Sequence, residues 1–200
     1  MPFDQIGLYD FGGGGYHCVH MCDADYEVFK KQNLVAVTNP ASNLKLASGI
    51  APISRYLTEG IPVAIGTDGP ASNNCLDMFR EMFLATGLAK YYDNDASSVD
   101  ALEVLKMATV NGAKAMGWKD CETLSVGSKA DLIMIDLNQP NMQPIHNIAK
   151  NVVYAGSKQN VALTMINGKI LYENGTFHIG TDPEEIYKKC NEISKRLGLE

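Results

Sequence analysis

Three short apolar segments, each closed by turn residues and followed by a helical pattern, constrain this chain more than any other feature. The segments are residues 16–20, 34–37 and 62–66. Repeated β-α units lay their strands parallel, and strands covered on both faces read as nearly unbroken apolar runs. Asp23 stands where it caps a helix over 23–31. Asn39-Pro40 marks a turn after the second strand. Pro52 and Gly60 bracket a helix over 50–59 with proline near its start and glycine past its end. Thr67-Asp68-Gly69-Pro70 stops the third strand. Two longer helices come next, over 76–90 and 99–116, the second with Ser97 and Asp100 set as a capping-box-like pair.

From about residue 120 the pattern changes. Residues 130–137, 151–155, 161–167 and 169–173 read as short strands. Asn167-Gly168 between apolar runs is a strong hairpin signal, and Asn174-Gly175 repeats its chemistry. Residues 183–197 form an amphipathic helix with Ile186, Cys190, Ile193 and Leu197 on one stripe. The expected fold is α/β: a β-α part over 1–120, a small β part over 121–180, and a C-terminal helix over 181–200.

The chain has 200 residues, 46% of them apolar, enough for one domain or two small ones. With 17 basic against 23 acidic residues, the net charge of −6 argues against nucleic acid as a partner. No apolar run reaches the roughly 18 residues of a membrane span. The start, Met1-Pro2-Phe3-Asp4, lacks the basic and apolar regions of a secretory leader. The five cysteines are scattered without a C-x-x-C pair, as in reduced cytoplasmic proteins.

His17 and Asp68 stand at the ends of the first and third strands, the edge where parallel barrels build their sites. A carboxylate there, followed by Gly69, can reach a metal or act as a base; it can equally cap a helix or close a turn. His17, Cys18, His20 and Cys22 crowd together. In a strand, positions 17 and 20 face opposite sides, which argues against one ion bound by the whole set. His17 as a pocket residue and His20 as a loop residue is the better division, with a buried, hydrogen-bonded histidine as the plain alternative. The glycine tract 12–15 precedes a strand, the reverse of a dinucleotide fingerprint, and reads as a flexible lead-in. His146 and His178 fall near turns and read as surface residues. Ser42, Ser72 and Ser97 show no G-x-S-x-G elbow, and Cys75 has no histidine beside it in sequence.

Five motifs occur together. They are His17-Cys18-Val19-His20; Asn39-Pro40-Ala41-Ser42-Asn43-Leu44-Lys45-Leu46; Gly66-Thr67-Asp68-Gly69 with Ala71-Ser72-Asn73-Asn74; Ala108-Thr109 with Asn111-Gly112-Ala113 and Ala115-Met116-Gly117; and the spaced set Leu124, Gly127, Ala130-Asp131-Leu132, Asp136. In this order the chain resembles the C-terminal half of the amidohydrolase superfamily, in the branch of adenosine-type, S-adenosylhomocysteine and methylthioadenosine deaminases and chlorohydrolases.

The resemblance implies a (β/α)8 barrel, of which this chain holds about strands 6–8, and part of a small β-sandwich. It implies one divalent metal, zinc or iron, whose hydroxide attacks an aromatic ring carbon bearing an amino or chloride group. The substrate is then a small nucleoside-like molecule. Asp68 matches the residue that ligates the metal and takes the water's proton. His17 matches the one that hydrogen-bonds near the attacking oxygen and the substrate. The Asn39–Asn43 and Ala71–Asn74 loops match segments that line the pocket, with His17, Asn39 and Ser42 as its substrate-binding residues.

The same resemblance calls for a His-x-His pair, a third histidine and a glutamate shuttle, none of which is matched here. A complete barrel needs eight strands and about 250 residues. The chain is therefore expected to be a C-terminal portion that does not retain the metal alone, since one ligand does not hold a catalytic zinc. It is expected to associate, as a homo-oligomer or with the missing N-terminal half, because residues around Val19, Val35, Val37, Val63 and Ile65 lose their cover. The alternative is a non-enzymatic fragment or degenerate domain acting only through a partner chain. A cytidine-deaminase-type enzyme is excluded by the absence of H-x-E and P-C-x-x-C.

Overall fold

In the computed structural model, which describes residues 2–199, β1 (Gly14–Tyr16), β2 (Val35–Thr38) and β3 (Val63–Ile65) lie side by side in that order, both pairs parallel. Met1, where the expectation about a leader begins, and Glu200, the last residue of the expected helical segment, lie outside the described residues. His17, Thr38 and Asp68 therefore fall at one end of three neighbouring parallel strands, as the β-α alternation predicts.

Register decides which face of the sheet is covered. Ala36 pairs with Val63, and Thr38 with Ile65, so these four share a face, and all are buried. Val35, Val37 and Ala64 point the other way, over an open cavity of about 240 Å3 that Gly14, Tyr16 and Met116 also line. The open face thus carries Val35 and Val37 as expected, and Ile65 also lines that cavity, but Val63 belongs to the covered face. The apolar run of the third strand gives no clue to its parity.

β1 ends earlier than its apolar pattern suggests. Its last bond runs from the His17 N–H to the Val37 carbonyl at 2.7 Å, after which His17 (φ 66°) and Cys18 (φ 49°) turn left-handed. The strand alternation used to separate His17 from His20 therefore does not apply. The glycine tract, in turn, is no mere lead-in, because Gly14 and Gly15 are in β1. A Cβ on Gly14 would meet the Val35 carbonyl at 2.1 Å, so only glycine lets the two backbones pair this closely.

The helices obey local capping chemistry. A short α1 (Pro2–Gln5) precedes the sheet. α2 (Asp23–Lys31) starts from Cys22, whose N–H donates to the Asp25 carboxylate at 2.9 Å; Asp23 is its first residue and not its cap. Asn39-Pro40 opens a helix where a turn was expected, α3 (Pro40–Lys45), with proline in its first turn. α4 (Ile53–Thr58) comes next, shorter than its bracketing residues imply. α5 (Met78–Asp93) is capped by Asp77 and closed by left-handed Asn94. The expected helix over 99–116 is two, α6 (Ala101–Ala108) and α7 (Val110–Ala115), broken at Thr109 with φ −132° and ψ −92°. Asp100 caps α6 through the Leu102 and Glu103 N–H groups, while Ser97 bonds Asp95 instead.

The remaining strands, β4 (Leu132–Ile135), β5 (Val161–Ile166), β6 (Lys169–Glu173) and β7 (Thr176–Phe177), form one antiparallel sheet in chain order. Both hairpin signals are turns with positive φ at each residue: Asn167 50° and Gly168 77°, Asn174 44° and Gly175 90°. Residues 151–155 are the exception, being helical in α8 (Ile148–Ala155). Asn147 caps it through the Lys150 N–H at 3.0 Å. Val152 and Val153 are buried, and α8 packs on α5 and α6. That packing overrides the strand preference of a Val-Val-Tyr run. It also joins the two halves of the chain in one core through Met142, Val152 and Val153. The last helix, α9 (Pro183–Arg196), is capped by Asp182, and Ile186, Ile193 and Leu197 stay exposed on its stripe. Among the described residues, no helix is long and apolar enough to cross a membrane.

Candidate active site

Asp68 sits just beyond β3 in the left-handed region, at φ 61°, a conformation aspartate tolerates better than most residues. Three donors hold its carboxylate. The Gly69 N–H reaches Oδ1 at 2.7 Å, and the Ser42 and Ser72 hydroxyls reach Oδ2 at 2.6 and 2.7 Å. The bonds from Ser42, Ser72 and Gly69, in that order of weight, pull its pKa from 3.8 down to about 2. Asp68 is a carboxylate at neutral pH.

His17 faces it, with Nε2 at 3.6 Å from Asp68 Oδ2. The other ring nitrogen, Nδ1, lies 2.8 Å from Asn43 Oδ1. An amide oxygen only accepts, so this contact places a proton on Nδ1 and turns Nε2 toward Asp68. The gap is too long for a hydrogen bond. The side chains of His17 and Asp68 are 41% and 32% exposed, whereas Ser42 and Asn43 beneath them are buried. Two reactive groups thus stand open to solvent on a buried polar footing.

The backbone that carries His17 is anchored from below. The Tyr56 hydroxyl donates to the Cys18 carbonyl, and Tyr56 is fully buried. Its ring stacks on Tyr26 at 5.4 Å, and the Arg55 guanidinium lies 3.9 Å over the Tyr26 ring while pairing with Asp23 at 2.5 Å.

Of the other sequence candidates, Ser42 is close to Asp68 but buried, its hydroxyl committed to the carboxylate. Asn39 is buried as well, with Oδ1 only 2.5 Å from where a Gly66 Cβ would lie. His20 donates to the Ser48 carbonyl at 2.8 Å. His146 and His178 are exposed. The resemblance places Asn43 and Ser72 in pocket-lining segments but not in these bonds to His17 and Asp68. Both lie inside quoted motifs, but no spacing rule ties them to His17 and Asp68.

Among the described residues, no group of three or more His, Cys, Asp or Glu side chains could hold an ion. His17 and Asp68 offer two donors at most, and a catalytic zinc takes three protein ligands and an open position. These residues by themselves do not fit it.

Cys18 is buried beside this site, and burial pushes its thiol up to about 11. It should resist iodoacetamide at neutral pH, while exposed Cys22 and Cys190 are labelled. Mass spectrometry of the labelled peptides checks this; equal labelling of Cys18 and Cys22 would mean that the loop opens. The raised Cys18 value also sets a pH dependence. Its contribution, on the order of 2 kcal/mol, is present below the ordinary thiol value and lost as pH rises toward about 11. Tyr56, also raised by burial, acts in the same direction. Urea melts between neutral pH and pH 11 should show that loss, and a flatter loss in Cys18→Ala.

Residues 3–171 match the model of the Amidohydrolase family. The chain is 48% identical over 194 residues to a 5-methylthioadenosine/S-adenosylhomocysteine deaminase of Thermoanaerobacter pseudethanolicus, covering 96% of this chain and 45% of that protein. It is 39% identical over 194 residues to a 5'-deoxyadenosine deaminase of Methanosarcina acetivorans, covering 97% and 44%. Among solved structures, a zinc-bound adenosine deaminase from Xanthomonas campestris superposes with a TM-score of 0.92 at 33% identity, over all of this chain and 45% of that one. Atrazine chlorohydrolase from Arthrobacter aurescens, complexed with zinc, gives 0.81 at 27% identity over 88% and 39%. The chain spans less than half the length of these relatives. Matched over most of its length by that family's model, the chain belongs to the amidohydrolase family.

Proposed function

We propose that the chain is the C-terminal portion of a hydrolase that deaminates an adenosine-type nucleoside, such as 5'-methylthioadenosine or S-adenosylhomocysteine. Removal of chloride from an aromatic ring is the neighbouring chemistry. The observation that carries the reading is Asp68, an ionised carboxylate fixed at a strand end and facing Nε2 of His17. Water adds to the ring carbon that bears the amine while Asp68 takes one of its protons; passed on to the amine, that proton lets it leave as ammonia, and the hydroxyl stays on the ring. His17, with its proton fixed on Nδ1, can accept a hydrogen bond or a proton at Nε2 close to the reacting oxygen. Ser42 acts through Asp68, and Asn39 shapes the end of β3 at Gly66.

In this reading, residues 1–120 supply strands 6–8 of a (β/α)8 barrel, 121–180 part of a composite β-sandwich, and 181–200 a C-terminal helix. Asp68 is one ligand of a divalent metal, zinc before iron, whose other protein ligands lie outside these 200 residues. The open sheet face around Val35, Val37 and Ala64 is covered by an N-terminal half or by another copy. Five free cysteines support a cytoplasmic location.

Co-expression with the unmatched N-terminal part of the Thermoanaerobacter relative tests the proposal. The assembled pair should sediment as a complex, bind stoichiometric zinc and convert 5'-methylthioadenosine to its inosine analogue. The chain alone should self-associate, hold no stoichiometric zinc and show no turnover. A pair that holds zinc but deaminates no adenosine-type nucleoside would sink the reading. The lack of a three-donor cluster among the described residues favours one second reading, a non-enzymatic chain that acts by association; a stable pair without zinc would support it.

A further inference from the structure

α5 carries a charged side chain that the fold buries completely. Glu81 is 0% exposed, and no ion pair reaches it among the described residues. A buried carboxylate without a cation is costly unless hydrogen bonds hold it. Two do. Oε2 accepts the Ala41 N–H at 2.9 Å, and Oε1 accepts from Asn73 Nδ2 at 2.8 Å. Burial pushes the Glu81 carboxyl upward, and these two bonds pull against it.

The two donors belong to different arms of the site. Ala41 lies in the first turn of α3, whose own cap residue, Asn39, makes no side-chain capping bond. The next two residues are Ser42 and Asn43, which hold Asp68 and His17. Asn73 is itself buried, and its Nδ2 also donates to the Thr67 carbonyl at 2.8 Å, one residue before Asp68. We infer that Glu81 is a positioning residue, a single buried carboxylate that bridges the arm after β2 to the arm after β3 and so sets His17 and Asp68 relative to each other. Its importance for catalysis rests on the function proposed above; the bridge itself is a property of this fold.

Glu81→Gln tests it in the 200-residue chain, because an amide offers one acceptor where two donors converge. Amide hydrogen exchange should quicken roughly tenfold in both 39–46 and 67–75, the scale of one lost buried hydrogen bond. Exchange in the β4–β7 sheet should stay as it was. As α3 shifts, Asn43 loses its hold, and the His17 ring-nitrogen NMR signals should move from a fixed Nδ1–H form toward a mixture of tautomers.

Adding Asn73→Asp to Glu81→Gln reverses the polarity of the pair: the introduced amide accepts from the Ala41 N–H and donates to the introduced carboxylate. The double variant should restore protection to 39–46. Faster exchange spread evenly over the chain, a change confined to one arm, or an unmoved His17 tautomer would overturn the inference. If Glu81→Gln does not fold, Asn73→Ala, which removes only the donor after β3, should quicken exchange in 39–46 as well as in 67–75; a change in 67–75 alone overturns the inference. None of these readouts needs deaminase activity, so a failed reconstitution and a failed bridge are separate results.

Discussion

Asp68→Asn, placed in the reconstituted pair, is expected to lower turnover of 5'-methylthioadenosine by roughly 10²–10⁴-fold, the usual range for removing a general base. An amide cannot take the water's proton. It also cannot serve the donors that converge on the carboxylate, because Ser42 and Ser72 both donate to Oδ2 and Gly69 to Oδ1. Steady-state deamination alongside metal analysis checks the effect. A variant within tenfold of the parent would remove Asp68 from the role of base. His17→Ala should instead leave the metal bound while the rate falls. Loss of metal from His17→Ala would mean that the two roles are exchanged.

Tyr56→Ala is expected to have the largest effect on stability, about 3–5 kcal/mol, the range for deleting a buried aromatic ring. Tyr56 is fully buried, stacks on Tyr26 and donates to the Cys18 carbonyl. A loss of that size is comparable to the whole stability of many domains, about 5–15 kcal/mol. Tyr56→Phe keeps the ring and leaves the Cys18 carbonyl without its donor, at about 1–3 kcal/mol. Urea unfolding of the three proteins separates the ring from the hydroxyl. Equal stability of the parent and Tyr56→Phe would show that the hydroxyl does not anchor the His17 backbone.

Repeating local signals are what made this fold legible in its sequence. The three parallel strands and the two Asn-Gly hairpins rest on patterns that need few partners, and each lies within a few residues of its expected place. Strand ends are harder. Tyr16–His20 reads as apolar-rich throughout, but His17 and Cys18 are left-handed, a state set by the Tyr56 anchor and the Val37 carbonyl rather than by their own side chains. Residues 151–155 have strand composition and become helical because Val152 and Val153 bury against α5 and α6. Pro40 suits a turn and the first turn of a helix equally well, and the burial of Ala41, Ser42 and Asn43 behind it selects the helix.

The candidate site divides in the same way. The strand-end placement of Asp68 and His17 is legible because a strand end is a local feature and their motifs are specific. The contacts made by Asn43, Ser72 and Glu81 are not. Their bonds to His17, Asp68 and Ala41 join residues that are distant in sequence or serve no motif-level pattern, and only the packed fold shows them. Sequence also overstates how open Ser42 and Asn39 are, since burial depends on neighbours from β3 and α5.

The six residues of α3 have a consequence for the energetics of any reaction between His17 and Asp68. One short helix supplies the Asn43 oxygen to the imidazole and the Ser42 hydroxyl to the carboxylate. The two groups are therefore preorganised by a common element before any ligand arrives. A dipole already aimed at its target costs no reorganisation when charge develops there, which is where fixed protein sites outperform water. Motion of α3 changes both groups at once, so the site has one internal coordinate where two independently mounted side chains would have two.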